Sequence, residues 1–247
     1  MKALLYAIGF LTVLPVPAAF RTPREAEIAK AAVWFPMVGL IPGLILTASA
    51  IAVNHGAPSD IGAFVAVAAT VIVTGALHID GLGDFVDSFG GKSPEETYRI
   101  MKDSRIGTFG SLAIFFALLG KYIAFHRLFS NGAGFSAMAL IPVISRWSLL
   151  LTIREGSHAS PTGGASSAFL LHASSSEILV KGTIVALIIF IPLSRFNHLW
   201  LWPIAVLIAM VMRFDARRRI GGITGDVLGA QCELAELLMF LILAARM

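Results

Sequence analysis

The segment HIDGLGDFVD at 78–87 packs three carboxylates and two glycines into ten residues. Asp80, Asp84 and Asp87 stand at i, i+4 and i+7, so on one helix they fall within about 60° of each other. Near low dielectric such a cluster repels itself unless a cation neutralises it. Hard oxygen donors suit Mg²⁺, which takes a few carboxylates and completes its shell with water and substrate phosphates. A merely solvated polar face would not need three acids without a base. Gly81 and Gly83 let another backbone or a ligand come close.

Two further segments carry chemistry. SPEE at 93–96 reads as a helix start, with Ser93 as N-cap, Pro94 in the first turn and a glutamate at the third position. That short helix should end at Lys102, Asp103, Ser104 and Arg105, where Lys102 and Arg105 suit phosphate groups or serve as charged membrane anchors. GGITGD at 221–226 is glycine-rich backbone opening into a helix, a form that presents amide hydrogens to phosphate. Beyond it, Glu233 and Glu236 can face the bundle interior together with Asp226, over about 80° of helix. Glu233 lies about 10 Å along the axis from Asp226, too far to share one ion without a bend. Hydrogen bonding between helices is the plainer role for the two glutamates. Arg146, inside an apolar run, needs a partner such as Glu233 or Glu236. Lys121 and Lys181 can snorkel and need no function.

The elements that position these residues are set by lipid. The 247 residues are 57% hydrophobic and 14% charged, with a mean hydropathy of +0.82, against about 25% charged in an ordinary soluble domain. A soluble fold of this length could not hide so much apolar surface. Apolar runs near 31–53, 61–79, 107–126, 135–153, 178–194, 198–213 and 227–245 read as spanning helices. The start, 3–19, resembles a signal peptide, but Pro15 and Pro17 interrupt it and a short first membrane segment is the preferred reading. These runs predict an all-α fold: a polytopic transmembrane bundle of about seven to eight segments, forming a single integral membrane domain over 1–247. The serine- and glycine-rich stretch 154–177 should be a flexible loop.

The net charge of +4 does not indicate nucleic acid, because the basic residues are scattered over short connections. The connections at 20–30, 80–106, 154–177 and 213–226 hold twelve Lys and Arg, and the alternate set holds three. The positive-inside rule places the first set, and with it both unusual segments, in the cytoplasm. Cys232 is the sole cysteine, which excludes a disulfide framework and a Cys-rich metal site.

With these residues in hand, the chain resembles the cobalamin synthase family, the adenosylcobinamide-GDP ribazoletransferases. The likeness rests on 78–87, on MKDSRIGTFG at 101–110 and on GGITGDVLGAQCELAE at 221–236. FLTVLPVP at 10–17 and WFPMVG at 34–39 add to it. The chain departs from the family pattern at 154–158, where a more basic, tyrosine-containing stretch is expected.

The resemblance implies an Mg²⁺-dependent enzyme of the bacterial inner membrane, with its active site facing the cytoplasm. It would join adenosylcobinamide-GDP to α-ribazole, or its 5′-phosphate, and release GMP. Asp80, Asp84 and Asp87, with Asp226, would hold the metal; Asp103 or Asp87 would take the ribose hydroxyl proton. His78, Lys102, Ser104, Arg105, Gly221, Gly222, Thr224 and Gly225 would contact substrate. The partners implied are the two substrates and membrane lipid, with homo-oligomerisation left open. Two other readings compete. A CDP-alcohol phosphotransferase also uses membrane aspartates, but there Asp-Gly comes second and Ala-Arg follows. A cation or solute transporter also accommodates intramembrane acids and glycine-broken helices, but no inverted repeat is visible and the acids gather at one face.

Overall fold

In lipid every backbone polar group must find an internal partner, and a long apolar run meets that demand as a helix. The computed structural model describes residues 2–17, 25–132, 134–155, 165–194 and 197–247. Among them the regular structure is helical, with no β-strand. In chain order the helices are α1 (Lys2–Leu11), α2 (Glu25–Ala32), α3 (Phe35–Val38), α4 (Leu40–Asn54), α5 (Ser59–Val73), α6 (Leu77–Asp87) and α7 (Pro94–Met101). There follow α8 (Thr108–Ser130), α9 (Phe135–Glu155), α10 (Ala165–His172), α11 (Ser176–Ser194), α12 (Leu201–Ile220) and α13 (Gly225–Ala245).

Among the described residues five stretches are long and apolar enough to cross a membrane: α3 with α4 as one run, α8, α9, α11 and α13. A sixth arises if α5 and the helical stretch to Gly90 count as one broken span. The expected seven to eight is reduced for identifiable reasons. The run at 3–19 yields a helix only to Leu11, too short to cross alone. The run at 198–213 becomes α12, which continues to Ile220 and carries Arg213, Asp215 and three further arginines in its second half. The run at 61–79 does not stay straight: α6 turns 85° away from α5. The turn is made at Gly75 and Ala76, with φ of +61° and +58°. Ala76 thus holds a left-handed conformation that costs a residue with a Cβ about 1–2 kcal/mol. The acidic segment is therefore a helix of its own beyond a sharp bend, not the straight continuation of α5. Part of 154–177 is also ordered, since α10 packs on α2; residues 156–164, including most of the divergent 154–158 stretch, lie outside the described residues.

Burial separates centre from periphery. In α9, 89% of the apolar stretch is buried and in α13 72%, against 28% in α8 and 22% in α11. The outer helices show Phe64, Phe115, Phe116, Ile188, Leu207 and Phe214 outward, as lipid-facing surfaces should. The loops sort into two ends. Glu155 pairs with Arg213, Arg219 reaches Ser88, and Thr224 meets Met101 at one end. At the other, Ser130 bonds Ser59, Ser136 bonds His198, and Arg246 lies over Trp200. These are the same two sets that alternate in basic content along the sequence.

Charges bind the centre together. Lys121 of α8 donates to Glu233 at 2.7 Å and to Glu236 at 2.8 Å, both on α13. Arg146 of α9, 2% exposed, pairs with Glu236 and approaches His78 Nδ1 at 3.4 Å. Arg146 has the kind of partner its position demands. Lys121 does not snorkel, because it is 5% exposed and bridges two acids. Two cations and two carboxylates balance, so removing one leaves a buried charge uncompensated. Glu236→Leu is expected to lower unfolding free energy by about 3–5 kcal/mol. Replacing Lys121 and Glu233 together by Met and Leu should cost clearly less, because Arg146 and Glu236 remain paired. Denaturant unfolding of the detergent-solubilised variants measures both, and equal losses would show that charge balance is not what the network supplies.

Candidate active site

The site lies where α6 meets α13. A Cβ on Gly81 would come within 2.9 Å of the Asp226 carbonyl oxygen, and one on Gly229 within 3.2 Å of His78 Cα. Only glycine lets these two backbones touch, and the contact brings Asp80 and Asp84 alongside Asp226. Asp84, half-buried, has Asp80, Asp226 and Asp87 as charged neighbours, with Lys102 the one relieving cation among them. Lys102 Nζ donates to Asp226 Oδ2 at 2.5 Å.

The third acid has a different occupation. Asp87 Oδ2 accepts from the Gly107 amide at 2.6 Å and Oδ1 from the Gly110 amide at 2.8 Å. Gly107 is the N-cap position of α8 and has no capping side chain of its own, so Asp87 caps that helix from a distance. Both oxygens are engaged, which takes Asp87 out of the open acidic face formed by Asp80 and Asp84.

The connection from α7 to α8 follows its sequence cues at the start. Ser93 accepts from the Glu96 amide at 3.2 Å with Pro94 in the first turn. At its end, Arg105 folds back on Asp103, Nη2 to Oδ2 at 2.7 Å. That side chain, then the Arg105 amide, holds the Asp103 carboxyl down to about 2. An acid so weakly basic is a poor acceptor for an alcohol proton. Arg105 and Ser104 are exposed and, unlike Lys102, do not line the cavity at the start of α13.

The glycine-rich segment divides its labour. Gly221 ends α12 in the left-handed conformation, φ +75°. Thr224 caps α13, accepting from the Val227 amide at 3.3 Å, and Gly222 is buried. Gly225 opens α13 and stands, with Asp226, at the edge of a cavity of about 290 Å³. Its wall has a polar part, His78, Asp80, Lys102 and Asp226, and an apolar part that includes Phe10, Leu11, Phe35, Leu77, Leu149 and Leu228. His78 is 2% exposed and its Nε2 has no protein partner, a state that costs about 1–3 kcal/mol. Sequence reasoning singled out the polar wall but assigned no role to Phe10 or Phe35, although both sit in the N-terminal blocks that carry the family likeness. Arg219 was also missed. It bonds Ser88 at 3.3 Å and lies 4.2 Å from the Phe89 ring, fastening α12 to the end of α6, and nothing distinguishes it in sequence from Arg217 and Arg218.

Among the described residues no three His, Cys, Asp or Glu side chains converge as a metal cage. The donors fit a different arrangement, since Mg²⁺ is commonly held by one or two carboxylates together with the substrate's phosphates. Asp84 and Asp226, brought together by the helix contact, would fit that pattern, with Asp80 beside them.

The separation of capping acid from open acids is measurable. Asp87→Ala should lower stability by about 1–2 kcal/mol through loss of the α8 cap. Asp80→Asn should leave stability unchanged or raise it, because it relieves repulsion. Thermal unfolding in detergent compares them; equal destabilisation would overturn the division.

Comparison with known proteins identifies the family. The family model described as cobalamin-5-phosphate synthase matches residues 3–244. A protein of Syntrophobacter fumaroxidans named adenosylcobinamide-GDP ribazoletransferase is 36% identical over 237 residues, covering 94% of each chain. Its namesake in Chlorobaculum parvum is 36% identical over 255 residues, covering 99% of this chain and 95% of its own. The protein of that name in Acetivibrio thermocellus is 33% identical, covering 98% and 97%. No solved structure matches the chain. With a family match over nearly its whole length and relatives this similar end to end, the chain belongs to the cobalamin-5-phosphate synthase family.

Proposed function

We propose that this protein is an Mg²⁺-dependent adenosylcobinamide-GDP ribazoletransferase of the bacterial inner membrane, working at the cytoplasmic face. The observation that carries the reading is spatial. Three blocks far apart in sequence, 78–87, 101–110 and 221–236, meet around one cavity at one end of the bundle. The end concerned is the one whose connections hold most of the Lys and Arg, which supports a cytoplasmic placement.

The reaction requires a ribose hydroxyl of α-ribazole, or of its 5′-phosphate, to attack the phosphorus attached to the corrinoid. The bond from that phosphorus to the bridging oxygen breaks, GMP leaves with that oxygen, and the hydroxyl proton passes to a base. Charge develops on the leaving phosphate, so positioned cations are the main source of acceleration. Mg²⁺ held by Asp84 and Asp226 would supply the charge that neutralises the diphosphate oxygens, leaving Asp80 unligated. Lys102 adds positive charge at the same mouth, and Arg105, paired with Asp103, would reach a phosphate only by leaving that pair. Asp80, exposed in the cavity wall and free of a helix cap, is better placed than Asp103 or Asp87 to accept the hydroxyl proton.

GMP release by purified protein in detergent or lipid is the direct test. Wild type should release GMP only with both substrates and Mg²⁺, and Asp80→Asn should fall by at least about a hundredfold. Release that ignores metal or Asp80 would contradict the site. Uptake of solute into vesicles without turnover would replace the enzyme reading with a transporter.

A further inference from the structure

The cavity is smaller than the substrates taken together, and this decides what it can hold. Its volume of about 290 Å³ lies at the low end of small-molecule sites, which run from about 300 Å³ upward. A nucleoside fits such a space, whereas a corrinoid ring with its side chains and axial group is several times too large. The lining is graded in the sense a nucleoside requires. Phe35, Leu149 and Leu228 are almost fully buried, while Asp80 and Lys102 at the mouth are exposed. Phe10 and Phe35 lie with ring planes 12° apart and centroids at 5.8 Å, and Phe169 backs both, at 4.2 and 5.2 Å. Such a wall suits a flat aromatic ring. Next to the apolar part the wall turns polar at His78 and Asp80, as the sugar of a nucleoside requires.

We infer that this cavity is the pocket for the acceptor nucleoside, an inference that rests on the transferase reading above. The base enters first, against Phe10 and Phe35, with Leu149 and Leu228 bounding its edge. The ribose lies at His78 and turns a hydroxyl toward Asp80. The corrinoid stays outside, presenting only its diphosphate at Lys102 and Asp226. Selection among lower-ligand bases is therefore made by the apolar wall, in particular by the side chain at 149.

Leu149→Phe narrows the wall and tests the assignment. The measurements are KM for α-ribazole, KM for its analogue lacking the two methyl groups on the base, and KM for adenosylcobinamide-GDP. The variant should raise KM for α-ribazole about tenfold, the scale on which a hydrophobic pocket senses one or two methyl groups. KM for the smaller analogue and for the corrinoid substrate should stay near wild type. Leu228→Phe is the second variant should Leu149→Phe fail to fold. Equilibrium binding of both nucleosides to the protein without corrinoid should show the same change in selectivity. An unchanged ratio between nucleosides, or a change confined to the corrinoid KM, overturns the pocket. Wild type that binds neither nucleoside does the same. Wild type that binds them with this selectivity yet releases no GMP keeps the pocket and sinks the transferase reading instead.

Discussion

The approach of α6 to α13 without intervening side chains is the constraint on which the site depends. Gly81 lies against the backbone at Asp226 and Gly229 against the backbone at His78, so each helix supplies the glycine opposite a functional residue of the other. Helix association in lipid has no hydrophobic drive between the helices, and close backbone packing through small residues replaces it. Here that packing does a second task. It places like charges side by side, Asp80 and Asp84 against Asp226, an arrangement that would push the helices apart if they were held only by side chains. The left-handed turn at Gly75 and Ala76 is the corresponding cost on the chain, because it swings α6 off the axis of α5 and into this contact.

What resists the repulsion lies deeper in the bundle. The cluster of Lys121, Glu233, Glu236 and Arg146 joins α8, α9 and α13, and Arg146 approaches His78 at the start of α6. At the outer end Asp87 holds the first turn of α8, and Arg219 ties α12 to Ser88. The open acids are therefore carried on a helix fixed at its start, along its length by glycine contacts, and at its end. A buried, balanced charge network is weak evidence for stability as such; what it does here is join α8 and α9 to α13 at fixed positions.

The all-α membrane architecture was legible because apolar runs near 20 residues have few other outcomes. The pairing of Arg146 with a glutamate of the last helix was legible because a lone buried cation is untenable. The number of spans was less so. A hydropathy run cannot reveal a bend such as the one at Ala76, nor show that α1 stops at Leu11. Within the site, residue type identified the three blocks but not how their acids divide. Asp80, Asp84 and Asp87 share a helix face, yet Asp87 alone sits opposite the free amides of α8, a fact of tertiary placement. Lys121 was misread for a similar reason, since an apolar run with one lysine looks the same whether the side chain reaches water or a buried acid. The Phe10 and Phe35 wall joins positions remote in sequence, and no local pattern announces it.

The central claim is that the backbone contact at Gly81 unites the two halves of the site. The most direct measurement is the Mg²⁺ concentration giving half-maximal GMP release in Gly81→Ala, with thermal unfolding followed in parallel. The added methyl group meets the Asp226 carbonyl oxygen at 2.9 Å and must move α6 away from α13. The account predicts a protein that still folds but needs about tenfold more Mg²⁺, because Asp226 no longer adjoins Asp80 and Asp84. An unchanged Mg²⁺ requirement would contradict it, showing that the acids on α6 act without α13.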